Sequence, residues 1–378
     1  MTDRAPLAFV DLAAQYHALQ PEIDAAIQRV LDHGRFIMGP EVAELEEKLA
    51  AFAGCGHAVT VSSGTDALLI ALMAEGVGPG DAVFLPAFTF TATAEVVVNI
   101  GATPVFVDVH ENSFNISRRD LETRIQQVLR NGTLRPRAVI AVDLFGLPAK
   151  YDSLTKVVEE HDLFVLADGA QSFGARIGDR RVGTLAPATA VSFFPAKPLG
   201  CYGDGGAILT DDPERAALYR SIRLHGKGAA KYDIARIGVN GRLDTIQAAV
   251  LLAKLAVFAA ELAARERLSR LYDQRLAGVV KTPHRVETVN SAWAQYTVRV
   301  DNRDAVQQRL KEQGIPTAVY YPRPMHLQPA YERYGDSAGS LPVSEHLCGE
   351  VLSLPMHPFL TDADITRIAA AVAAALAD

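Results

Sequence analysis

With 378 residues, 49% of them hydrophobic, the chain is long enough for one large and one smaller core rather than a single domain. Its formal net charge of -7 argues against a general nucleic-acid binder, which needs a basic surface, but leaves room for one small anionic ligand held by local groups. No apolar run is long enough to cross a bilayer, and Met1 to Asp11 carries charges where a secretory leader needs apolar residues, so a cytoplasmic, soluble protein with no membrane partner is expected.

From His57 to about Leu209 short β-rich runs alternate with helical stretches, the pattern of βαβ units around a mostly parallel sheet. The predicted strands are Ala58 to Val61, Ala82 to Leu85, Thr103 to Asp108, Ala138 to Val142, Leu163 to Ala167, Thr189 to Phe194 and Gly206 to Thr210, seven in all. Leu243 to Leu276 is rich in Ala and Leu and reads as one long helix, or two joined at a kink, leading out of the first domain. Beyond it, Trp293 to Val300 alternates like a strand, Arg303 to Gln313 reads as a helix, and Thr361 is placed to cap a closing helix from Asp362. The expectation is an α/β fold with a large domain over 1–253 and a smaller α+β domain over 254–378. Cys55, Cys201 and Cys348 have no CxxC spacing, so they read as free thiols, with neither a disulfide framework nor a metal site signalled.

Three segments carry chemistry. Ser62-Ser63-Gly64-Thr65-Asp66 follows a strand and opens a helix, where free N–H groups and the helix dipole suit a phosphate; an ordinary helix cap needs the same residues. Asp168 directly follows a strand, at the sheet edge where ligands collect, and Gln171 lies one helical turn on. Lys197 sits in Ser192-Phe193-Phe194-Pro195-Ala196-Lys197-Pro198-Leu199-Gly200, after an apolar strand and between Pro and Gly; desolvation there favours the neutral amine that an imine requires, the alternative being a structural pair with Asp204. A phosphate cradle, a carboxylate for a ring nitrogen and a lysine are the three protein contributions that pyridoxal 5'-phosphate (PLP) chemistry requires.

The chain resembles the DegT-type nucleotide-sugar aminotransferases of PLP fold type I. The likeness runs from Gly39-Pro40-Glu41-Val42 through Ser63-Gly64-Thr65, Pro86-Ala87-Phe88-Thr89-Phe90, Asp168-Gly169-Ala170-Gln171-Ser172 and the lysine segment to Asn240-Gly241-Arg242-Leu243-Asp244 and Tyr320-Tyr321-Pro322. It implies a three-layer α/β/α large domain on a mostly parallel seven-stranded sheet. It also implies that Lys197 carries PLP as a Schiff base and shuttles protons, that Asp168 holds the ring nitrogen, and that Gln171 reaches the ring oxygen. Gly64, Thr65 and Ser192 are implied to bind the phosphate, with Asn240 reaching it from the other subunit of a homodimer. Phe90 is implied to stack on the ring, Phe88 being the nearby alternative. Where relatives carry Glu-Asp-Ala-Ala, this chain has Ala167-Asp168-Gly169-Ala170, a change that spares the aspartate. The retained Lys197 favours amination over sugar dehydration.

The reaction implied takes an amino group from glutamate and delivers it to a nucleotide-linked keto-sugar. The wording around Lys197 and Asn240 looks closest to enzymes that aminate UDP-2-acetamido-2-deoxy-3-keto-glucuronic acid for bacterial surface polysaccharide or lipopolysaccharide precursors. Arg242 matches the extra carboxylate of such a hexuronate, or that of glutamate. Tyr321 and His326 lie in a loop that the resemblance puts near the sugar, with His225 a weaker candidate. A dTDP- or GDP-linked 3-keto or 4-keto deoxysugar is the alternative substrate. A non-catalytic PLP or nucleotide-sugar sensor should lack Lys197 or add a DNA-binding segment, and a nicotinamide dehydrogenase should show G-x-G-x-x-G after an early strand; neither is present.

Overall fold

The computed structural model describes residues 7–230 and 232–377; the charged stretch Met1 to Pro6 lies outside them. In chain order the elements are α1 (Leu12–Ala18), α2 (Gln20–His33), α3 (Pro40–Ala53), β1 (His57–Val61), α4 (Gly64–Ala74), β2 (Asp81–Pro86), α5 (Ala92–Asn99), β3 (Thr103–Val107), α6 (Arg118–Asn131), β4 (Arg135–Val142), α7 (Tyr151–Glu160), β5 (Phe164–Asp168), β6 (Arg176–Ile177), β7 (Arg180–Arg181), β8 (Ala188–Ser192), β9 (Gly206–Thr210), α8 (Pro213–Ile222), α9 (Thr245–Leu255), α10 (Phe258–Leu276), β10 (Val289–Asn290), β11 (Tyr296–Arg299), α11 (Arg303–Glu312), α12 (Pro342–Glu350), β12 (Val351–Leu354) and α13 (Asp362–Ala377).

All seven expected strands form, and they make one sheet in the order β1-β9-β8-β5-β4-β2-β3. The pairs from β8 through β5, β4 and β2 to β3 are parallel, and β9 alone runs against its neighbours β1 and β8. β1, β2, β4, β5 and β8 therefore end at the same edge, which is where their following loops converge. The strands alternate between two apolar faces, as a sheet buried on both sides must. Val83, Leu85, Ala138 and Ile140 pack with Leu68 and Leu72 of α4 and Val96 and Val97 of α5, whereas Phe84, Val139 and Ala141 pack with Leu121 and Ile125 of α6 and Leu154 and Val157 of α7. This is the three-layer arrangement expected.

The Ala- and Leu-rich stretch forms two helices, α9 and α10, bent by 60° between them. No single helix among the described residues is long and apolar enough to cross a membrane. Phe258 at the start of α10 packs with Phe173 and Leu251 of the large body, while Leu268, Tyr272 and Leu276 at its end join Tyr296, Val298, Leu352, Leu354, Ile368 and Val372 in a separate core. One helix thus serves two cores. β11 begins three residues later than the alternation from Trp293 suggests, because Trp293 has a φ of 49°, which an extended strand cannot accommodate. Thr361 caps α13 as expected: its hydroxyl accepts the Asp364 N–H at 3.2 Å, and its own N–H reaches the Asp364 carboxylate at 2.9 Å. The three cysteines are free, and burial pushes Cys55 and Cys201 up to about 11 and Cys348 to about 12, so all are thiols at neutral pH.

Candidate active site

A cavity of about 500 Å³ opens where the parallel strands end, lined by the helix start Ser63–Gly64–Thr65, by Thr89 and Phe90 after β2, by Asp168 and Gln171 after β5, and by Ser192, Lys197 and Asp204 after β8. Gln295, Tyr320 and Tyr321 close it from the C-terminal part of the chain. Its size suits a small-molecule ligand.

The helix start is built by sequence and by close approach. Ser63 is extended and its hydroxyl accepts the Asp66 N–H at 3.0 Å; Ser62 in turn bonds the Asp66 carboxylate. The first N–H groups of α4 have no partner inside the helix and form the positive end of its dipole. A Cβ placed on Gly64 would lie 2.6 Å from the Ser192 Cβ, so only glycine lets the end of β8 come this near. The approach gathers the Ser192 hydroxyl and the α4 N–H groups into one cradle, the donor set that a phosphate monoester dianion needs.

Asp168 is 6% exposed, and its Oδ2 accepts the Thr93 hydroxyl at 2.8 Å. Burial raises its carboxyl above the usual range, opposed by the Thr93 hydroxyl, the Ala170 N–H and the charge of Lys197. Burial likewise lowers the Lys197 amine, opposed by Asp168. Asp168 is thus the carboxylate whose charge acts on Lys197. Gln171 is fixed at its oxygen by the Phe145 N–H at 2.5 Å and directs its amide nitrogen to the Tyr321 hydroxyl at 3.4 Å. A buried carboxylate facing a cavity, an amine of lowered basicity across from it and a dianion cradle at the floor are complementary to the pyridine nitrogen, aldehyde and phosphate of PLP. The residues present fit that group.

Of the aromatic candidates, Phe90 lines the cavity with its ring 55% exposed, and Tyr321 lies 6.2 Å from it, centroid to centroid. Phe88 is fully buried against Phe114 and Phe145 and belongs to the core. The His326 side chain is fully buried, its Nε2 is 3.1 Å from the Glu345 carboxylate, and it lies against Phe106. It is not among the residues that line the cavity. Asn240 and Arg242 do not line this chain's cavity; Asn240 is exposed in a bridge to Leu224, and the Arg242 Nε is buried without a partner. His225 is also outside it, its N–H bonded to the Val239 carbonyl.

Reading the sequence missed Thr93, Gln295 and Tyr320. Thr93 could have been suspected from Thr89-Phe90-Thr91-Ala92-Thr93, where two hydroxyls fall four residues apart at a helix start; the two are 3.0 Å apart in the structure. Gln295 carried no signal, because its place at the cavity depends on how the C-terminal part packs.

Comparison with known proteins identifies the relatives of this arrangement. The model of the DegT/DnrJ/EryC1/StrS aminotransferase family matches residues 17–373. The UDP-2-acetamido-2-deoxy-3-oxo-D-glucuronate aminotransferase of Pseudomonas aeruginosa is 47% identical over 368 residues, covering 97% of this chain and 99% of that protein. The dTDP-3-amino-3,4,6-trideoxy-alpha-D-glucose transaminase of Streptomyces venezuelae is 41% identical, covering 98% of this chain and 96% of that one. The crystal structure of a DegT DnrJ EryC1 StrS aminotransferase from Brucella abortus superposes with a TM-score of 0.96 at 48% identity, covering 98% and 100% of the two chains.

Proposed function

The chain belongs to the DegT/DnrJ/EryC1/StrS aminotransferase family and is a PLP-dependent sugar-nucleotide aminotransferase, and from that premise we propose that it moves an amino group from glutamate to UDP-2-acetamido-2-deoxy-3-keto-glucuronic acid. The observation that carries the catalytic reading is the convergence of Asp168, Lys197 and the Gly64 helix start on one cavity. The sugar is favoured by the 47% identity to the glucuronate aminotransferase across nearly the whole of both chains.

PLP supplies an electron sink at the substrate carbon. Lys197 would be the covalent anchor and, once free, the amine that moves a proton between substrate and cofactor carbons; burial lowers its basicity. Asp168, held by Thr93, keeps the ring nitrogen protonated. Gln171 would bond the ring oxygen, Gly64, Thr65 and Ser192 would hold the phosphate, and Phe90 would cover a ring face. Tyr321 and Phe90 wall off water.

Lys197 is the only cation among the residues that line the cavity. A cofactor phosphate, a nucleotide diphosphate and a uronate carboxylate together call for more positive charge than one chain brings. Beside the exposed Asn240, Ile234 is 58% and Ile237 84% exposed, and Phe36 and Ile37 are about half exposed (46% and 49%), an apolar surface suited to a second copy. The protein accordingly works as a homodimer in which each copy lends Asn240 and Arg242 to the other's cavity, Arg242 pairing with the uronate. It acts in the cytoplasm, on precursors of surface polysaccharide or lipopolysaccharide.

The test is a visible absorbance scan of the protein with PLP, wild type beside Lys197→Ala. The expected result is a band in wild type alone that glutamate bleaches and the 3-keto glucuronate restores. Absence of a Lys197-dependent band sinks the catalytic reading; restoration by a dTDP-linked 3-keto sugar in preference to the uronate sinks the substrate.

A further inference from the structure

A second carboxylate stands behind the first. Asp143 directly follows β4, whose last residue, Val142, is in register with Asp168 at the end of β5. Asp143 is fully buried, does not line the cavity, and no part of the chemistry above employs it. Its N–H donates to the Asp168 carbonyl at 3.1 Å, and its Oδ2 accepts the Ser172 hydroxyl at 2.7 Å. Its Oδ1 accepts both the Tyr151 hydroxyl at 2.7 Å and the Ala149 N–H at 2.8 Å. Two residues on, the Phe145 N–H holds the Gln171 oxygen. The segment following Asp143 and the turn from Asp168 to Ser172 are thus joined at three points, and that turn carries both side chains assigned to the cofactor ring.

Among the described residues no cation acts on Asp143; the titratable groups facing it are Tyr151 of α7 and Asp168 of β5. A buried carboxylate satisfied by three neutral donors and beside another carboxylate is costly for the fold alone, since an amide or an apolar residue would tie the turn at less expense. What an ionisable group adds here is negative potential at the sheet edge.

We propose that Asp143 is a positioning residue for the cofactor: it fixes the turn bearing Asp168 and Gln171, and its carboxylate backs Asp168 with a second negative charge that helps hold the proton on the PLP ring nitrogen. This rests on the reading of Asp168 given above. Burial pushes the Asp143 carboxyl up to about 7, opposed by the Ala149 N–H, Ser172 and Tyr151, so its charge develops within the range where binding is measured. A steric role is blind to that titration; an electrostatic one is not.

The experiment measures the PLP dissociation constant of apoprotein by absorbance at pH 6, 7, 8 and 9 for wild type, Asp143→Asn, Tyr151→Phe and Asp168→Asn, with the melting temperature of each apo form. Asparagine keeps the shape and accepts from Tyr151 and Ala149, but carries no charge. The expected result is a ratio of Asp143→Asn to wild type that is near constant below pH 7 and opens to roughly tenfold weaker binding at pH 9. A ratio identical at every pH value, whatever the melting temperatures, overturns the proposal. Should Asp143→Asn fail to fold, Tyr151→Phe decides. It withdraws one donor, so Asp143 ionises at higher pH, and binding is expected to fall below wild type near pH 8 and converge with it at pH 9; wild-type affinity throughout overturns the proposal. Asp168→Asn separates the two readings: if it binds PLP as wild type does, the assignment of Asp168 fails first.

Discussion

The hydroxyl of Thr93, one residue into α5, donates to Asp168 Oδ2 at 2.8 Å across the edge of the sheet. It is a hydrogen bond to the ionised form of a buried carboxyl and therefore lowers the pH at which that carboxyl is lost. Thr93→Val removes the donor at constant shape. A charge-assisted bond of about 1.5–3 kcal/mol corresponds to a weakening of PLP binding by roughly ten- to hundredfold. Because Asp168 then ionises at higher pH, the acid limb of the activity profile moves up, and Thr93→Ser restores it. PLP titration and a pH profile of kcat check both.

Gly64→Ala sets a methyl 2.6 Å from the Ser192 Cβ and 3.2 Å from its Cα. Strain of about 1–3 kcal/mol is expected at the cradle, with PLP affinity reduced at least roughly tenfold and apoprotein folding retained. Ser192→Ala in the same chain gives no relief, since the Cβ remains; Ser192→Gly relieves the clash. Equilibrium dialysis of PLP reads the loss in Gly64→Ala, and the apoprotein melting temperature reads the relief in the Ser192→Gly background, which itself lacks the hydroxyl assigned to the phosphate.

Lys254 is a buried lysine, 0% exposed, which donates to the Gly200 carbonyl at 2.7 Å and lies 4.1 Å above the Tyr202 ring. Burial lowers it from 10.5 to about 8. Between those values the unfolded chain binds the extra proton, so this group adds stability as pH rises from 8 to 10.5. The stability difference between wild type and Lys254→Met should grow by roughly 2–3 kcal/mol over that window. Urea unfolding at a series of pH values measures it, and a flat difference refutes it.

Mixing chains tests the shared cavity. Lys197→Ala and Arg242→Ala are each expected to be inactive toward the uronate, yet co-refolded together they should regain about a quarter of wild-type turnover, because half the dimers are mixed and one of their two sites is intact. If Arg242 served its own chain's cavity, the mixture would stay inactive. Arg242→Ala alone should bind PLP as wild type does.

Much of the site was readable as short words. Ser63-Gly64-Thr65, Asp168 and Lys197 each lie at a strand end followed by a turn or helix, and that local geometry is set by neighbours in the chain. The seven strands followed from apolar periodicity for the same reason. His326 could not be placed from its own segment, because a histidine in a Pro-rich loop reads the same whether it faces a cavity or Glu345.

The sequence by itself determined the family, the parallel sheet, and the strand-end positions of the lysine and the aspartate proposed to hold the cofactor, because each of these is written in residues adjacent along the chain. Only the tertiary structure decided that Thr93 and Asp143 stand around Asp168, that Gly64 admits Ser192, and that Asn240 and Arg242 lie outside their own chain's cavity. Those relations depend on strand order and register between segments tens of residues apart, and no local pattern of side chains specifies which strand becomes whose neighbour.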